Sequence, residues 1–411
     1  MNQFSYNLLG YLLLPLMVLQ LWLKGFSNPA YRQRMGERLG IFSTVKGDVI
    51  WVHCVSVGEF RAAIVLIDAL ITEYPNHKIL VTSTTPTGSK AVTEYYQNRI
   101  LHLYFPFDVS FIVKHYVKKI NPKLCLLLET EIWPNLIHTL YKNNIPILLV
   151  NARLSQRSLE KYQKYPKFSK QVLNKLTLIA TQNQNSADRF KQLGVEKVVM
   201  AGNIKFDQNP SVDSKVLTQL KVFVNNRKVV VFASTHKGEE VQIIDAYLKN
   251  PLDALLVIIP RHPERFEEVY KLAEKCNIKI IKRSDNTPCT NSAILLGDSM
   301  GEMMAYFTIA DVVFMGGSLN DTGGHNMLEP AALSKPIIFG PNVFNFSEIS
   351  TDLLTQNASI QVQNAEGLLK EVSELLNNDE KAKVLGKNAN QYFKSQQGAV
   401  GNLIKQVKDL L

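Results

Sequence analysis

Residues 49–61 read Val-Ile-Trp-Val-His-Cys-Val-Ser-Val-Gly-Glu-Phe-Arg. The run from Val49 to Ser56 is apolar and β-branched, as a strand buried on both faces requires. Gly58 permits a tight turn, and Glu59 falls in the first turn of the helix that follows. Outward from this strand, turn and helix, similar runs recur between longer helical patterns. They lie at Lys78 to Thr85, Leu124 to Glu129, Ile145 to Val150, Leu176 to Thr181 and Lys197 to Gly202. After Asp207-Gln208-Asn209-Pro210 the theme restarts, with Val229 to Ser234, Ala254 to Pro260, Ile278 to Lys282, Ala293 to Gly297, Val312 to Gly316 and Pro336 to Gly340. Strands alternating with helices imply parallel sheets. The expectation is an α/β protein of two doubly wound, Rossmann-like domains, 25–207 and 208–411, joined near residues 205–215. A helical tail is expected from about Glu366.

Length and composition fit this. The 411 residues are 46% hydrophobic and 20% charged, enough for two buried cores and too apolar for intrinsic disorder. With 21 Gly and 17 Pro, collagen-like and low-complexity chains are excluded. Cys54, Cys125, Cys276 and Cys289 form no CxxC pair, so they read as buried structural thiols in a reducing compartment.

The 46 basic residues outnumber the 36 acidic ones, leaving a net charge of +10. Leu8 to Leu23, extended by Phe4 and Tyr6, is an apolar stretch of about bilayer-crossing length, and residues 1–24 are read as a membrane anchor. Lys24, Arg32, Arg34 and Arg38 follow it, an asymmetry that keeps the large C-terminal part cytoplasmic. Gly10 and Pro15 weaken a straight span, so an interfacial helix or one docked on the protein's own surface stays open. A second basic stretch, Arg157, Lys161, Lys164, Lys167, Lys170 and Lys175, is interleaved with Tyr162, Tyr165 and Phe168. It suits a solvated face or an anionic membrane surface. Nucleic acid ranks lower, because zinc-finger spacing, an RNP pattern and a heptad-linked basic region are absent.

Ligands of open α/β sheets collect at the carboxyl ends of strands, where the chemistry-bearing motifs fall. Glu59 reads either as a general base or as a helix-capping carboxylate. Glu129 and Glu131, two apart after an apolar strand, could share a face, which suits hydroxyl binding or structural hydrogen bonds better than a metal. Arg153, Lys205, Arg261 and His262 each follow a strand and suit an anionic substrate, or surface ion pairs. Ser234-Thr235-His236-Lys237-Gly238-Glu239-Glu240 ends one strand and opens a helix, an arrangement that can cradle a phosphate without being a P-loop. Gly316-Gly317-Ser318 and Gly323-Gly324-His325-Asn326-Met327-Leu328-Glu329 allow close backbone approach to a ligand, with Glu329 placed to accept hydroxyl hydrogen bonds. His325 and Glu329 have a metal-compatible spacing but lack a third ligand nearby.

Together these stretches resemble the bacterial 3-deoxy-D-manno-octulosonic acid (Kdo) transferases of lipopolysaccharide assembly. The resemblance is carried by Val55-Ser56-Val57-Gly58-Glu59, Thr84-Thr85-Pro86-Thr87-Gly88, Glu129-Thr130-Glu131-Ile132-Trp133-Pro134-Asn135, Asn151-Ala152-Arg153-Leu154-Ser155, Gly202-Asn203-Ile204-Lys205-Phe206, Ala233-Ser234-Thr235-His236, Pro260-Arg261-His262-Pro263-Glu264-Arg265 and the stretch from Gly323 to Pro330. It implies a GT-B fold, a CMP-Kdo donor, a phosphorylated lipid A precursor as acceptor, and inversion without a cofactor or metal, at the cytoplasmic face of the inner membrane. Glu59 becomes the general base; Gly58, Glu129, Glu131 and Arg153 become acceptor-side or architectural residues. Lys205, Ser234, His236, Arg261, His262, Gly323, Gly324 and Asn326 become donor-side residues, and Glu329 a ribose ligand. Cys54 stands where a smaller residue is expected. The competing readings are another GT-B nucleotide-sugar transferase or epimerase, and a non-catalytic, membrane-tethered polyanion-binding protein.

Overall fold

The computed structural model describes residues 2–208, 212–290 and 293–411. The chain divides into two compact units, Met1–Gln208 with Gln397–Leu411, and Asn209–Gln396. Of the junction anticipated at 205–215, residues 209–211 lie outside the described residues.

In the first unit the strands are β1 (Val49–His53), β2 (Lys78–Ser83), β3 (Leu101–Tyr104), β4 (Pro122–Leu128), β5 (Ile147–Ala152), β6 (Leu178–Thr181) and β7 (Val198–Met200). They form one parallel sheet in the order β3-β2-β1-β4-β5-β6-β7. Every residue of β1 is buried because helices cover both faces. Its pleat feeds two cores: Val49 and Trp51 pack with Leu80, Cys125 and Leu149, while Ile50, Val52 and Cys54 pack with Phe60, Leu66 and Leu126.

The second unit repeats the plan with β8 (Val229–Thr235), β9 (Leu255–Pro260), β10 (Ile280–Lys282), β11 (Ile294–Leu296), β12 (Val312–Met315), β13 (Ile337–Phe339) and β14 (Ile360–Gln361). The order is β10-β11-β9-β8-β12-β13-β14, again parallel. Two strands escape the sequence reading, β3 and β14. Both lie at a sheet edge, where short strands need no continuous apolar run.

Residues 397–411, read from the sequence as part of the second domain's tail, pack in the first unit. The helix Ala399–Lys408 offers Ala399, Leu403 and Val407 at a spacing of four, and they join the core that contains Phe60. Asp207 fastens its start, accepting the Gly398 and Val400 N–H groups at 2.6 Å each.

At the other end of the chain, Gln3–Ser27 is a single helix containing Pro15, long and apolar enough to cross a membrane. Cys54, Cys125 and Cys289 are buried free thiols, and Cys276 is half-buried.

Candidate active site

Where β1 ends, Ser56 caps the helix Val57–Glu73, its Oγ accepting the Glu59 N–H at 3.3 Å. The Glu59 carboxyl turns back on the strand end. Its Oε2 accepts the Val55 N–H at 2.7 Å, and its Oε1 accepts the Ser56 hydroxyl at 3.4 Å. Burial pushes this carboxyl up to about 7; the Val55 bond opposes the shift, the charge of Glu129 adds to it, and Ser56 and Lys205 pull it down. Glu59 therefore caps its helix and also carries a proton affinity suited to accepting a proton near neutrality.

Glu129 and Glu131 do not share a strand face, because β4 stops at Leu128 and Glu129 adopts a left-handed φ of 53°. Both carboxyls nevertheless gather near Glu59. Burial, then repulsion from Glu59, push Glu131 up to about 7; the Trp133 Nε1–H, donating to its Oε2 at 2.9 Å, opposes this, and Glu129 adds to it. Glu129 Oε1 lies 3.8 Å from Lys205 Nζ. Lys205 is set by two asparagines. Buried Asn151, with φ of 52°, accepts the Ile204 N–H at 3.1 Å, and Asn203 accepts the Lys205 N–H at 3.0 Å.

Two further neighbours, His53 and Cys54, carry no site motif in the sequence and are both fully buried. His53 is fully buried, stacked on Phe105 at 3.7 Å between ring centres, with Nδ1 3.2 Å from the Thr82 carbonyl. Burial pushes it down to about 3 against that hydrogen bond, so the imidazole whose Nε2 lies 4.0 Å from Glu131 Oε2 is neutral. The Cys54 thiol is held protonated by burial and then by the charges of Glu59, Glu129 and Glu131. Gly58 and Arg153 are exposed; the Arg153 carbonyl accepts the Thr130 hydroxyl.

In the second unit, β8 bulges at Ser234, whose φ is 56°, and its pairing with β9 shifts between Ala233 and Thr235. Gly316, beyond β12, presses on that bulge: a Cβ there would lie 2.7 Å from the Ser234 carbonyl oxygen. Glu239, in the first turn of the helix Glu239–Lys249, ties the two strand ends together. It is fully buried and accepts the N–H groups of His236 at 2.9 Å, Gly317 at 2.7 Å, Ser318 at 3.0 Å and Leu319 at 3.0 Å. Burial pushes its carboxyl up, opposed by these four bonds.

Above this knot His236 and His325 stack at 5.0 Å with Nε2 atoms 2.8 Å apart, and His262 meets His236 edge-on at 5.4 Å. Burial, then the charges of His236, Arg261 and His262, push His325 down to about 4; burial and His262 likewise lower His236. Gly317, at φ 68°, sits under the pair, where a Cβ would come 3.1 Å from His325 Cδ2. Gly323 and Gly324 turn with φ of 96° and 76°, and the Gly324 N–H donates to the Gly317 carbonyl at 2.7 Å. Asn326 donates to Glu329 Oε1 at 3.2 Å. Arg265 is bound to buried Glu240 at 2.7 and 3.1 Å, whereas Arg261 and His262 are exposed.

Neutral imidazoles, backbone turns and an exposed guanidinium within one loop cluster suit a phosphoryl group, whose charge would draw protons onto the histidines. Among the described residues no group of three or more His, Cys, Asp or Glu is arranged to hold a metal ion. The role of Glu239 escaped the sequence reading, although a signal exists: Gly238-Glu239 repeats, after the second unit's first strand, the Gly58-Glu59 step of the first unit.

Residues 33–208 match the family described as 3-deoxy-D-manno-octulosonic-acid transferase (kdotransferase), and residues 182–392 match glycosyl transferases group 1. The 3-deoxy-D-manno-octulosonic acid transferase of Haemophilus influenzae is 37% identical over 100% of this chain and 99% of its own length. That of Rickettsia felis is 33% identical over 91% of this chain and 82% of its own. A solved glycosyltransferase from Rickettsia africae superimposes with a TM-score of 0.59 at 14% identity, covering 89% of this chain and 98% of its own. At that identity the likeness is one of fold, the GT-B class of paired Rossmann-like units.

Proposed function

Because the chain belongs to the Kdo transferase family of lipopolysaccharide biosynthesis, we propose that it moves Kdo from CMP-Kdo to lipid IVA, a phosphorylated lipid A precursor, with inversion at the sugar. Glu59 is the general base. It takes the proton of the acceptor hydroxyl as that oxygen bonds to the anomeric carbon, while the bond from that carbon to the CMP phosphate oxygen breaks and its electron pair leaves with CMP. The observation that carries this reading is the Glu59 carboxyl, pushed up to about 7 with Oε2 fixed by Val55 and Oε1 held only at 3.4 Å.

The charged residues fit the substrates. Lys205 and Arg153 counter the phosphates and carboxylate that approach the first unit, and Glu129 orients Lys205 at 3.8 Å. Glu131 and Gly58 shape the acceptor side. Ser234, His236, Arg261, His262, Gly323, Gly324 and Asn326 receive the CMP phosphate, where donors aimed at the leaving oxygen lower the barrier. Glu329 accepts from the ribose hydroxyls. Lys24, Arg32, Arg34 and Arg38, following the apolar helix, support a catalytic part on the cytoplasmic side of the inner membrane.

Purified protein given CMP-Kdo and lipid IVA should release CMP and raise the lipid's mass by whole Kdo units, read by mass spectrometry. A panel of UDP-sugars should yield nothing. Transfer from a UDP-sugar in preference to CMP-Kdo refutes the donor, and binding without turnover of any donor refutes catalysis.

A further inference from the structure

The mechanism leaves one buried titratable side chain beside the base without a task. His53 ends β1, paired with Thr82 on one side and Leu127 on the other, and its imidazole is fully buried. Its Nδ1 lies 3.2 Å from the Thr82 carbonyl oxygen and 3.0 Å from the Thr82 hydroxyl, which already accepts the Trp51 Nε1–H at 2.8 Å. A carbonyl only accepts, so Nδ1 carries the ring hydrogen and Nε2 carries a lone pair. That Nε2 is buried with no hydrogen-bond partner, and Glu131 Oε2 stands 4.0 Å in front of it.

Such a nitrogen costs about 1–3 kcal/mol while it stays unpaired, and an apolar side chain would fill the slot without that cost. Its surroundings nonetheless hold it on target. Phe105 stacks on the His53 ring at 3.7 Å and meets the Trp133 ring at 5.1 Å. One buried ring thus fixes both groups that converge on Glu131 Oε2, the second being the Trp133 Nε1–H at 2.9 Å. A lone pair repels a carboxylate oxygen and accepts from a carboxylic acid. A movement of the Glu131 carboxyl by about 1 Å closes the gap to an O–H···N bond.

We propose that His53 is a positioning residue that accepts a hydrogen bond from a protonated Glu131, keeping this acid neutral while Glu59 serves as the base. Glu131 is faced by Glu59 from the helix Val57–Glu73, by Glu129 and Trp133 of its own segment, and by His53 and Cys54 from the end of β1. Tyr162 faces it from the helix Gln156–Gln163, and Lys205 lies beside Glu129 and Glu59. Burial keeps Cys54, Tyr162 and His53 uncharged. Of the groups just named, Lys205 alone opposes the three carboxyls, so protonating Glu131 lowers the excess from two negative charges to one. Burial and then repulsion from Glu59 lift Glu131, whereas burial and then Glu129 lift Glu59, so Glu59 gives up its proton first. Two half-buried carboxyls then hold different states, one acid and one base, as their partners dictate. The proton on Glu131 stays in place during transfer, and His53 acts on Glu59 through it.

This inference rests on the reading of Glu59 as the base, and it deepens that reading. The test records kcat/KM for lipid IVA against pH, with CMP-Kdo as donor, in wild type, His53→Leu, Glu131→Gln and the double variant. Without the Nε2 acceptor Glu131 ionises earlier, and the rising limb of His53→Leu should move up by about one pH unit. Its rate at pH 7, as a share of its own rate at pH 9, should fall about fivefold. Glu131→Gln is a permanently neutral stand-in for the acid, so adding it to His53→Leu should return the limb to the wild-type pH. A limb that stays put in His53→Leu, or stays displaced in the double variant, overturns the proposal.

Should His53→Leu fail to fold, wild-type protein decides the matter by carbon NMR of isotope-labelled glutamate carboxyls, assigned by their loss in Glu59→Gln and Glu131→Gln. Glu59 should ionise at the lower pH and Glu131 at the higher, and the reverse order overturns the proposal. This readout needs neither donor nor acceptor. Wild-type protein that transfers nothing from CMP-Kdo therefore refutes the proposed function, while the order of ionisation still decides the role of His53.

Discussion

The Val55 N–H donates to Glu59 Oε2 at 2.7 Å, whereas the Ser56 hydroxyl reaches Oε1 only at 3.4 Å. One carboxyl oxygen is committed to the fold and the other is weakly engaged, the asymmetry a positioned proton acceptor needs.

Glu59→Gln keeps an oxygen for Val55 and removes the base. Turnover should drop at least about a hundredfold, with the melting temperature and circular dichroism retained. Transfer at the wild-type rate by a correctly folded variant removes Glu59 from the mechanism.

The rate should rise with pH through about 7 as Glu59 ionises. Lys205 pulls the Glu59 value down, so Lys205→Met should move this rising limb to higher pH. Stability runs the other way. A carboxyl whose folded value lies near 7, above an ordinary value of about 4.3, favours the folded state at low pH and loses that contribution as pH climbs through 7. Measured melting temperatures should therefore shift in favour of Glu59→Gln, relative to wild type, between pH 5 and pH 8. A limb that stays put in Lys205→Met, or a constant difference in melting temperature, contradicts the shift.

Glu239 responds differently to the same substitution. Its Oε1 accepts from Ser318 and Leu319 and its Oε2 from His236 and Gly317. An amide supplies one acceptor oxygen, so both Glu239→Gln and Glu239→Ala leave buried N–H groups unpaired. Each should cost at least about 2 kcal/mol in denaturant unfolding. A Glu239→Gln protein as stable as wild type would show that the knot between the two loops is dispensable.

Gly316→Ala places a methyl group 2.7 Å from the Ser234 oxygen and 2.8 Å from Thr235 Cα, so the bulge at the end of β8 must shift. The KM for CMP-Kdo should rise at least about tenfold, a loss near 1.4 kcal/mol. Gly401→Ala, which has open space around it, should leave KM unchanged. Equal donor kinetics in the two variants would dissociate the bulge from donor binding.

The strands that build the sheet centres, such as Val49–His53 and Leu255–Pro260, are legible because burial on both faces demands unbroken apolar runs. Edge strands Leu101–Tyr104 and Ile360–Gln361 carry no such demand and pass unnoticed. Glu129 and Glu131 are legible as neighbours of one motif, but their geometry is set by the left-handed turn at Glu129, which period-two reasoning does not anticipate. The two Gly-Glu steps show the limit most clearly. Gly58-Glu59 and Gly238-Glu239 are alike locally, and only the backbone amides at residues 317–319, some eighty positions away, turn the second carboxylate into a fully buried brace.

The return of Ala399, Leu403 and Val407 to the core around Phe60 also orders events during synthesis. The nascent chain cannot complete the unit that holds Glu59 until the ribosome has translated the whole of Asn209–Gln396. A premature stop at Gln397 would thus spare most of the later-made half and leave the earlier-made half with an uncovered hydrophobic seam, a ready target for chaperones and proteases.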